Sequence, residues 1–221
     1  MKLKVCGMKY IANIKEVAAL QPDYLGFIFY DKSKRNFDGI IPELPKSIKK
    51  TGVFVNANLE DVLAKINQYD LQAIQLHGDE SVEFCEELRQ TELVSVSHDE
   101  IPKQVRNKLE IIKVFGIKKS FNFDILKPYE EVVDYFLFDT KGKERGGNGV
   151  VFDWKVLEKY PYSKPFFLSG GIGLEQLEEI QKIRKTDLPI YALDVNSKFE
   201  LEAGFKSVEN IERFKNEIST N

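Results

Sequence analysis

An acid at the end of an apolar strand is the first residue in this chain whose setting suggests chemistry. In Tyr135-Phe-Leu-Phe-Asp139-Thr-Lys141 mostly apolar residues precede the carboxylate, and a glycine-rich loop, Gly142 to Gly149, follows it. Side chains alternate along a strand, so Leu137 and Asp139 share one face while Phe136 and Phe138 share the other. A carboxylate on the inner face of a buried strand is unfavourable unless it is paired or used. Capping of the following turn is the plain structural alternative.

Other polar residues stand at comparable positions. Period-two counting puts Lys4 and Cys6 on one face of a first strand, Gln75 and His77 on a fourth, and Asp194 and Asn196 on an eighth. Each has a structural reading of its own: Cys6 as a small core residue, His77 as a turn donor, Asp194 as a helix cap. Gathered at equivalent strand ends with Asp139, they favour a site. Ser169-Gly-Gly171-Ile-Gly173 runs directly into a helical pattern, and Asn196-Ser197 follows the eighth strand. Small residues with open backbone N–H groups near a helix start form an anion cradle, here assigned to Gly170, Gly171, Asn196 and Ser197. Gly146-Gly-Asn-Gly149 has no Gly-Lys-Ser/Thr after it, so it is not a P-loop and reads as a mobile lid.

A thiol and a carboxylate over a phosphate site suit proton transfer on a phosphosugar. Cysteine acts as a base only as thiolate, and a free thiol with a pKa of about 8.5 is ionised to a few per cent at neutral pH. Lys4, on the same face as Cys6, is expected to lower that value. Neither a dinucleotide fingerprint nor a Ser-His-Asp arrangement is suggested. With two cysteines and two histidines far apart in sequence, neither a transition-metal site nor a disulfide framework is expected.

These residues need elements to hold them. Strands are read at Leu3 to Met8, Tyr24 to Tyr30, Thr51 to Asn56, Ala73 to His77, Glu110 to Ile117, the Tyr135 stretch, Pro165 to Ser169 and Ile190 to Val195. Helical patterns alternate with them. The first carries Ile14, Val17, Ala18 and Leu20 on one stripe. Leu59 to Tyr69, Ser81 to about Gln90, Phe152 to Tyr160, Leu174 to Arg184 and Ser207 to Ile218 follow. A weak helix after the second strand is interrupted by Pro42 and Pro45, and Pro128 disfavours one long helix across Phe121 to Val133. Eight alternating units without a linker predict an α/β fold, a single (β/α)₈ barrel spanning residues 1–221. A doubly wound open sheet is the alternative. A barrel would bring the polar strand ends to its C-terminal face, with anion sites in the loops after strands seven and eight.

Composition narrows the partners. The chain has 221 residues, 43% apolar and 30% charged, with a net charge of −3. That balance gives no general attraction to nucleic acid or membrane. The start, Met-Lys-Leu-Lys-Val-Cys, lacks the apolar core of a signal peptide, and no run approaches the roughly 18 apolar residues of a membrane span. A cytoplasmic protein acting on a phosphorylated small molecule is expected, as monomer or homodimer.

Several segments together resemble the phosphoribosylanthranilate isomerase family of tryptophan biosynthesis. They are Lys4-Val-Cys-Gly-Met8, Gly26-Phe-Ile-Phe-Tyr30 with Ser33-Lys-Arg35, Gly52-Val-Phe-Val-Asn56 and Gln75-Leu-His-Gly78. Leu137-Phe-Asp-Thr-Lys141, Gly146-Gly-Asn-Gly149 with Phe152-Asp-Trp154, Leu168-Ser-Gly-Gly171 and Asp194-Val-Asn-Ser197 complete the set, which covers essentially the whole chain. The resemblance implies a TIM barrel and an Amadori rearrangement of N-(5-phosphoribosyl)anthranilate without a cofactor. It implies Asp139 as general acid and Cys6 as general base. It further implies Arg35 on the anthranilate carboxylate, His77 lining the pocket, Asp194 orienting substrate or loops, and the two glycine and Asn-Ser segments on the phosphate. Two features depart from the family pattern. Lys9 replaces a usual Thr, removing a cap from the first helix, and Thr91 to Asn107 is longer than usual, read as a surface elaboration. A related phosphosugar isomerase and a non-catalytic phosphosugar-binding barrel are the competing readings.

Overall fold

The computed structural model describes residues 1–94, 109–140 and 152–219. The proposed lid, Gly142 to Gly149, and most of Thr91 to Asn107 lie outside them.

Strands buried along nearly their whole length close on one another because each has two faces to cover. Eight parallel strands form a closed barrel in sequence order. They are β1 (Lys2–Val5), β2 (Tyr24–Phe29), β3 (Lys49–Phe54), β4 (Ala73–Leu76), β5 (Glu110–Ile117), β6 (Tyr135–Thr140), β7 (Phe166–Leu168) and β8 (Ile190–Val195). The seam is the β1–β8 pairing, which sets Lys4 opposite Asp194. The open-sheet alternative is thereby excluded.

The two faces of the strands build two separate apolar sets. Outward residues, such as Val5, Leu25, Ile74, Phe136, Phe138 and Leu193, join the main core under the helices. Inward residues Tyr24, Ala73, Ile112, Val114, Leu137, Phe167 and Ala192 fill the barrel. The N-terminal end of the barrel is sealed by Tyr24, whose hydroxyl reaches Glu110 at 2.9 Å and the Tyr191 hydroxyl at 3.1 Å. Tyr135 stacks on Tyr191 with ring centroids 4.4 Å apart. Apolar filling below leaves the polar strand ends gathered at the C-terminal mouth.

The outer layer departs from an ideal barrel. Five α-helices stand among the described residues: α1 (Ile11–Ala19), α2 (Leu59–Tyr69), α3 (Val82–Val94), α4 (Leu177–Ile183) and α5 (Val208–Ser219). No helix forms between β2 and β3, where Pro42 and Pro45 each lack the N–H a helix needs. After β5 the chain makes a 3₁₀ helix, Phe123–Tyr129, containing Pro128. The segment read as a helix over Phe152 to Tyr160 is a 3₁₀ helix, Trp154–Lys159, started by the Asp153 side chain accepting from the Lys155 N–H. Leu174 to Arg184 begins as 3₁₀ (Leu174–Gln176) before α4. The first helix, Ile11–Ala19, has Tyr10 at its N-cap and no side-chain cap; Lys9 stands one residue before that position, so it is not where a cap is lost. A short hairpin absent from the sequence reading, β9 (Glu200–Glu202) and β10 (Phe205–Lys206), lies between β8 and α5.

Candidate active site

Alternation along β1, β4, β6 and β8 delivers the polar residues to the inside of the C-terminal mouth, as period-two counting requires. Lys4 on β1 is fully buried, and its ammonium donates to Asp194 Oδ1 at 2.8 Å and Gln75 Oε1 at 2.7 Å. Burial works against the ammonium, but the Asp194 carboxylate and the Cys6 sulfur beside it outweigh burial and hold the Lys4 pKa above the ordinary lysine value. From Gln75 the contacts run on. Its Nε2 lies 3.2 Å from His77 Nδ1, and His77 Nε2 lies 3.4 Å from Asp139 Oδ2. Asp194 Oδ2 also accepts from Ser169 at 3.5 Å.

Asp139 answers both readings of its position. Its Oδ1 accepts the Thr140 N–H at 2.8 Å, a local turn contact, while Oδ2 faces His77 across the barrel mouth. The loop after β7 comes close to it. Gly170 has φ +91°, and a Cβ there would lie 2.7 Å from the Thr140 backbone nitrogen and 3.1 Å from Asp139 Oδ1, so only glycine fits on both counts.

Cys6 sits just beyond β1 and is 4% exposed. Burial pushes its thiol pKa up, and the nearby Lys4 and Lys206 ammonium groups offset this only in part. Lys4 therefore acts in the foreseen direction, but burial wins. Gly26 on β2 makes room for the sulfur, because a Cβ there would lie 2.7 Å from Cys6 Sγ.

Arg35 reaches the mouth from the loop after β2. Its Nε and Nη2 donate to the two oxygens of Glu200 at 2.8 and 2.6 Å, a bidentate fork. Glu200 also accepts from the Lys206 ammonium at 2.7 Å and the Gly204 N–H at 2.9 Å. Although burial opposes its charge, Arg35 and Lys206 hold the Glu200 pKa at about 2. Lys206 is fully buried, and burial brings its own pKa down to about 8. It also donates to Asn196 Oδ1 at 2.6 Å. Asn13 of α1 fixes the hairpin that carries it, accepting the Lys206 N–H at 2.7 Å and donating to the Lys206 carbonyl at 2.9 Å.

The other sequence-identified residues are on the same rim. Gly170 and Gly171 both have positive φ in the turn after β7, and Asn196 and Ser197 follow β8, with Ser197 opening a 3₁₀ turn, Ser197–Phe199. Glu200, Lys206 and the connecting role of Gln75 were missed. Period-two alternation puts Gln75 on the right face, whereas the Glu200 and Lys206 hairpin carries no strand-length signal. Among the described residues no group of three or more His, Cys, Asp or Glu side chains is placed to hold a metal ion, and no helix is long and apolar enough to cross a membrane.

A closed parallel barrel whose C-terminal mouth gathers a carboxylate, a thiol, a histidine and a buried ammonium defines a (β/α)₈-barrel enzyme. Comparison with known proteins resolves the class further. The sequence profile described as N-(5′-phosphoribosyl)anthranilate (PRA) isomerase matches residues 3–217. An N-(5′-phosphoribosyl)anthranilate isomerase of Parabacteroides distasonis is 40% identical over 225 residues, covering 99% of this chain and 93% of that one. The isomerase of Phocaeicola vulgatus is 34% identical over 218 residues, covering 99% and 98%. Among solved structures, the Thermotoga maritima phosphoribosyl anthranilate isomerase superposes with a TM-score of 0.77 at 26% identity over the full length of both chains. A phosphoribosyl anthranilate isomerase in complex with reduced 1-(o-carboxyphenylamino)-1-deoxyribulose 5-phosphate gives 0.76 at 25% identity, again over both whole chains. The chain belongs to the N-(5′-phosphoribosyl)anthranilate isomerase family.

Proposed function

We infer that the protein converts N-(5′-phosphoribosyl)anthranilate to 1-(2-carboxyphenylamino)-1-deoxyribulose 5-phosphate in tryptophan biosynthesis, using its own side chains as acid and base. The observation that carries the reading is the convergence of Cys6, Asp139 and Arg35 on one barrel mouth, from β1, β6 and the loop after β2. It is supported by the full-length relatives and by the likeness to an isomerase holding a reduced product analogue.

In this reading Asp139 protonates the ribose ring oxygen, and the ring opens to a Schiff base. The Cys6 thiolate removes the C2′ proton to give an enolamine, which becomes the ketose when the carbon next to the nitrogen takes a proton and the 2′-hydroxyl gives one up. Asp139 is left as carboxylate and Cys6 as thiol, so the pair is reset when one proton returns to the acid and one leaves the sulfur. Arg35 receives the anthranilate carboxylate. Glu200 occupies the Nε–Nη2 edge of its guanidinium, which leaves the remaining N–H groups to bind the substrate. The turns at Gly170–Gly171 and Asn196–Ser197 hold the phosphate, His77 lines the pocket, and Asp194 keeps Lys4 and Ser169 in place. One barrel spanning residues 1–221 supplies every group named, acting as a monomer or homodimer in the cytoplasm.

Rescue of a tryptophan auxotroph lacking this isomerase, together with loss of phosphoribosylanthranilate fluorescence on adding purified protein, tests the assignment. Absence of both would sink it in favour of a non-catalytic phosphosugar-binding barrel.

A further inference from the structure

Lys4, Gln75, His77 and Asp139 form a line of contacts across the barrel mouth, and the donor inventory of each group restricts the next. The Lys4 ammonium has three donors and no acceptor. It must therefore face the carbonyl oxygen of Gln75, which it does at 2.7 Å, and the opposite amide orientation would set NH₂ against NH₃⁺. That choice points the Gln75 NH₂ at His77 Nδ1, 3.2 Å away. An NH₂ group only donates, so Nδ1 must accept, and a neutral imidazole accepting at Nδ1 carries its proton on Nε2. The Nε2 atom lies 3.4 Å from Asp139 Oδ2, a separation that a small inward movement on substrate binding closes.

We propose that Lys4 and Gln75 are positioning residues that hold His77 as its Nε2–H tautomer, so that the ring donates to the Asp139 carboxylate. Asp139 Oδ1 already receives the Thr140 N–H at 2.8 Å. Once Asp139 has given its proton to the substrate, Oδ1 meets the Thr140 N–H and Oδ2 meets the His77 Nε2–H that substrate binding has drawn in, so protein donors rather than solvent stabilise the new charge. The proposal rests on the reading of Asp139 as general acid. It also gives the buried Lys4–Asp194 pair a purpose beyond barrel closure. Asp194 keeps Lys4 charged, and a charged Lys4 fixes the amide.

The ring can be read directly. The sequence contains only two histidines, His77 and His98. In ¹⁵N-histidine-labelled protein, a His98→Gln variant therefore assigns the His77 resonances. Two-bond ¹H–¹⁵N correlations at about pH 9, above the ordinary histidine range, should show protonated Nε2 and unprotonated Nδ1. The tautomer is read in the unaltered protein, so misfolding of a variant cannot obscure it. In Gln75→Glu, nearly isosteric but without donors, the proton should move to Nδ1. In that variant kcat should fall about 10- to 100-fold, the effect of one lost charge-assisted hydrogen bond, with KM within about twofold. Lys4→Met should leave a mixture of tautomers. Protonated Nδ1 in the unaltered ring, or the same tautomer in Gln75→Glu, would overturn the proposal. The acid role is read separately, since loss of turnover in Asp139→Asn does not depend on the His77 tautomer.

Discussion

Arg35 and Glu200 form a two-bond fork, 2.8 and 2.6 Å long, between the loop after β2 and the hairpin after β8. Glu200 aims the guanidinium that is proposed to hold the anthranilate carboxylate. Glu200→Gln keeps the shape and removes the charge. KM should rise about 10-fold with kcat little changed, because a hydrogen bond to a charged group contributes roughly 1.5–3 kcal/mol. Arg35→Lys, which cannot form the fork, should raise KM at least as much. Steady-state kinetics on phosphoribosylanthranilate decides it, and an unchanged KM in both variants would remove Arg35 from the substrate site.

Asp139→Asn and Cys6→Ala each remove a proposed proton-transfer group. Each should lower kcat by about 10²–10⁴-fold with a much smaller change in KM. Near-normal turnover in either variant would overturn that residue's role.

Burial raises the Cys6 thiol above its ordinary value, so the thiolate fraction grows with pH throughout the neutral range. For a thiolate base, kcat/KM should therefore climb into the alkaline range. Lys4 draws the Cys6 value down, so Lys4→Met should displace that limb to still higher pH. A pH–rate profile that is flat on the alkaline side, or unmoved by Lys4→Met, would contradict a thiolate base.

Glu200 offers a stability test with a definite sign. Its folded-state pKa of about 2 lies below the ordinary carboxylate range, so the folded protein binds fewer protons than the unfolded chain between them. The stabilisation is fully present above that range and is lost as pH falls towards about 2. Denaturant unfolding from pH 6 downwards should show the unaltered protein losing stability more steeply than Glu200→Gln. Parallel curves would count against the Arg35–Glu200–Lys206 cluster.

Gly26→Ala would place a methyl 2.7 Å from the Cys6 sulfur in a packed interior. We expect a folded barrel by circular dichroism with turnover reduced about 10-fold or more, since small misplacements of reacting groups lower rates steeply. Full activity would show that the thiol need not stay where it is.

The eight strands and the faces of Lys4, Cys6, Gln75, His77, Asp139 and Asp194 were legible because period-two alternation survives even in buried strands. The helices were less so. Trp154–Lys159 is a 3₁₀ turn where apolar spacing suggested an α-helix, because a short segment satisfies either repeat. Glu200 and Lys206 escaped notice for a different reason. Strands of three and two residues carry no pattern, and the clamp that buries Lys206 comes from Asn13, 193 positions away. Partners that distant are set by closure of the barrel, which local periodicity does not encode.

The seam carries a consequence for how the molecule comes into being. Lys4 and Asp194, 190 positions apart, meet only when the first and last strands join. The carboxylate that keeps Lys4 charged once it is buried, where it orients Gln75 and attracts a thiolate at Cys6, thus arrives only when the ring closes. A nascent chain holding seven strands has the thiol and the acid but lacks Asp194, which fixes the Lys4 ammonium in place against Gln75. Competence should then appear all at once, late in folding, as a checkpoint on a complete barrel.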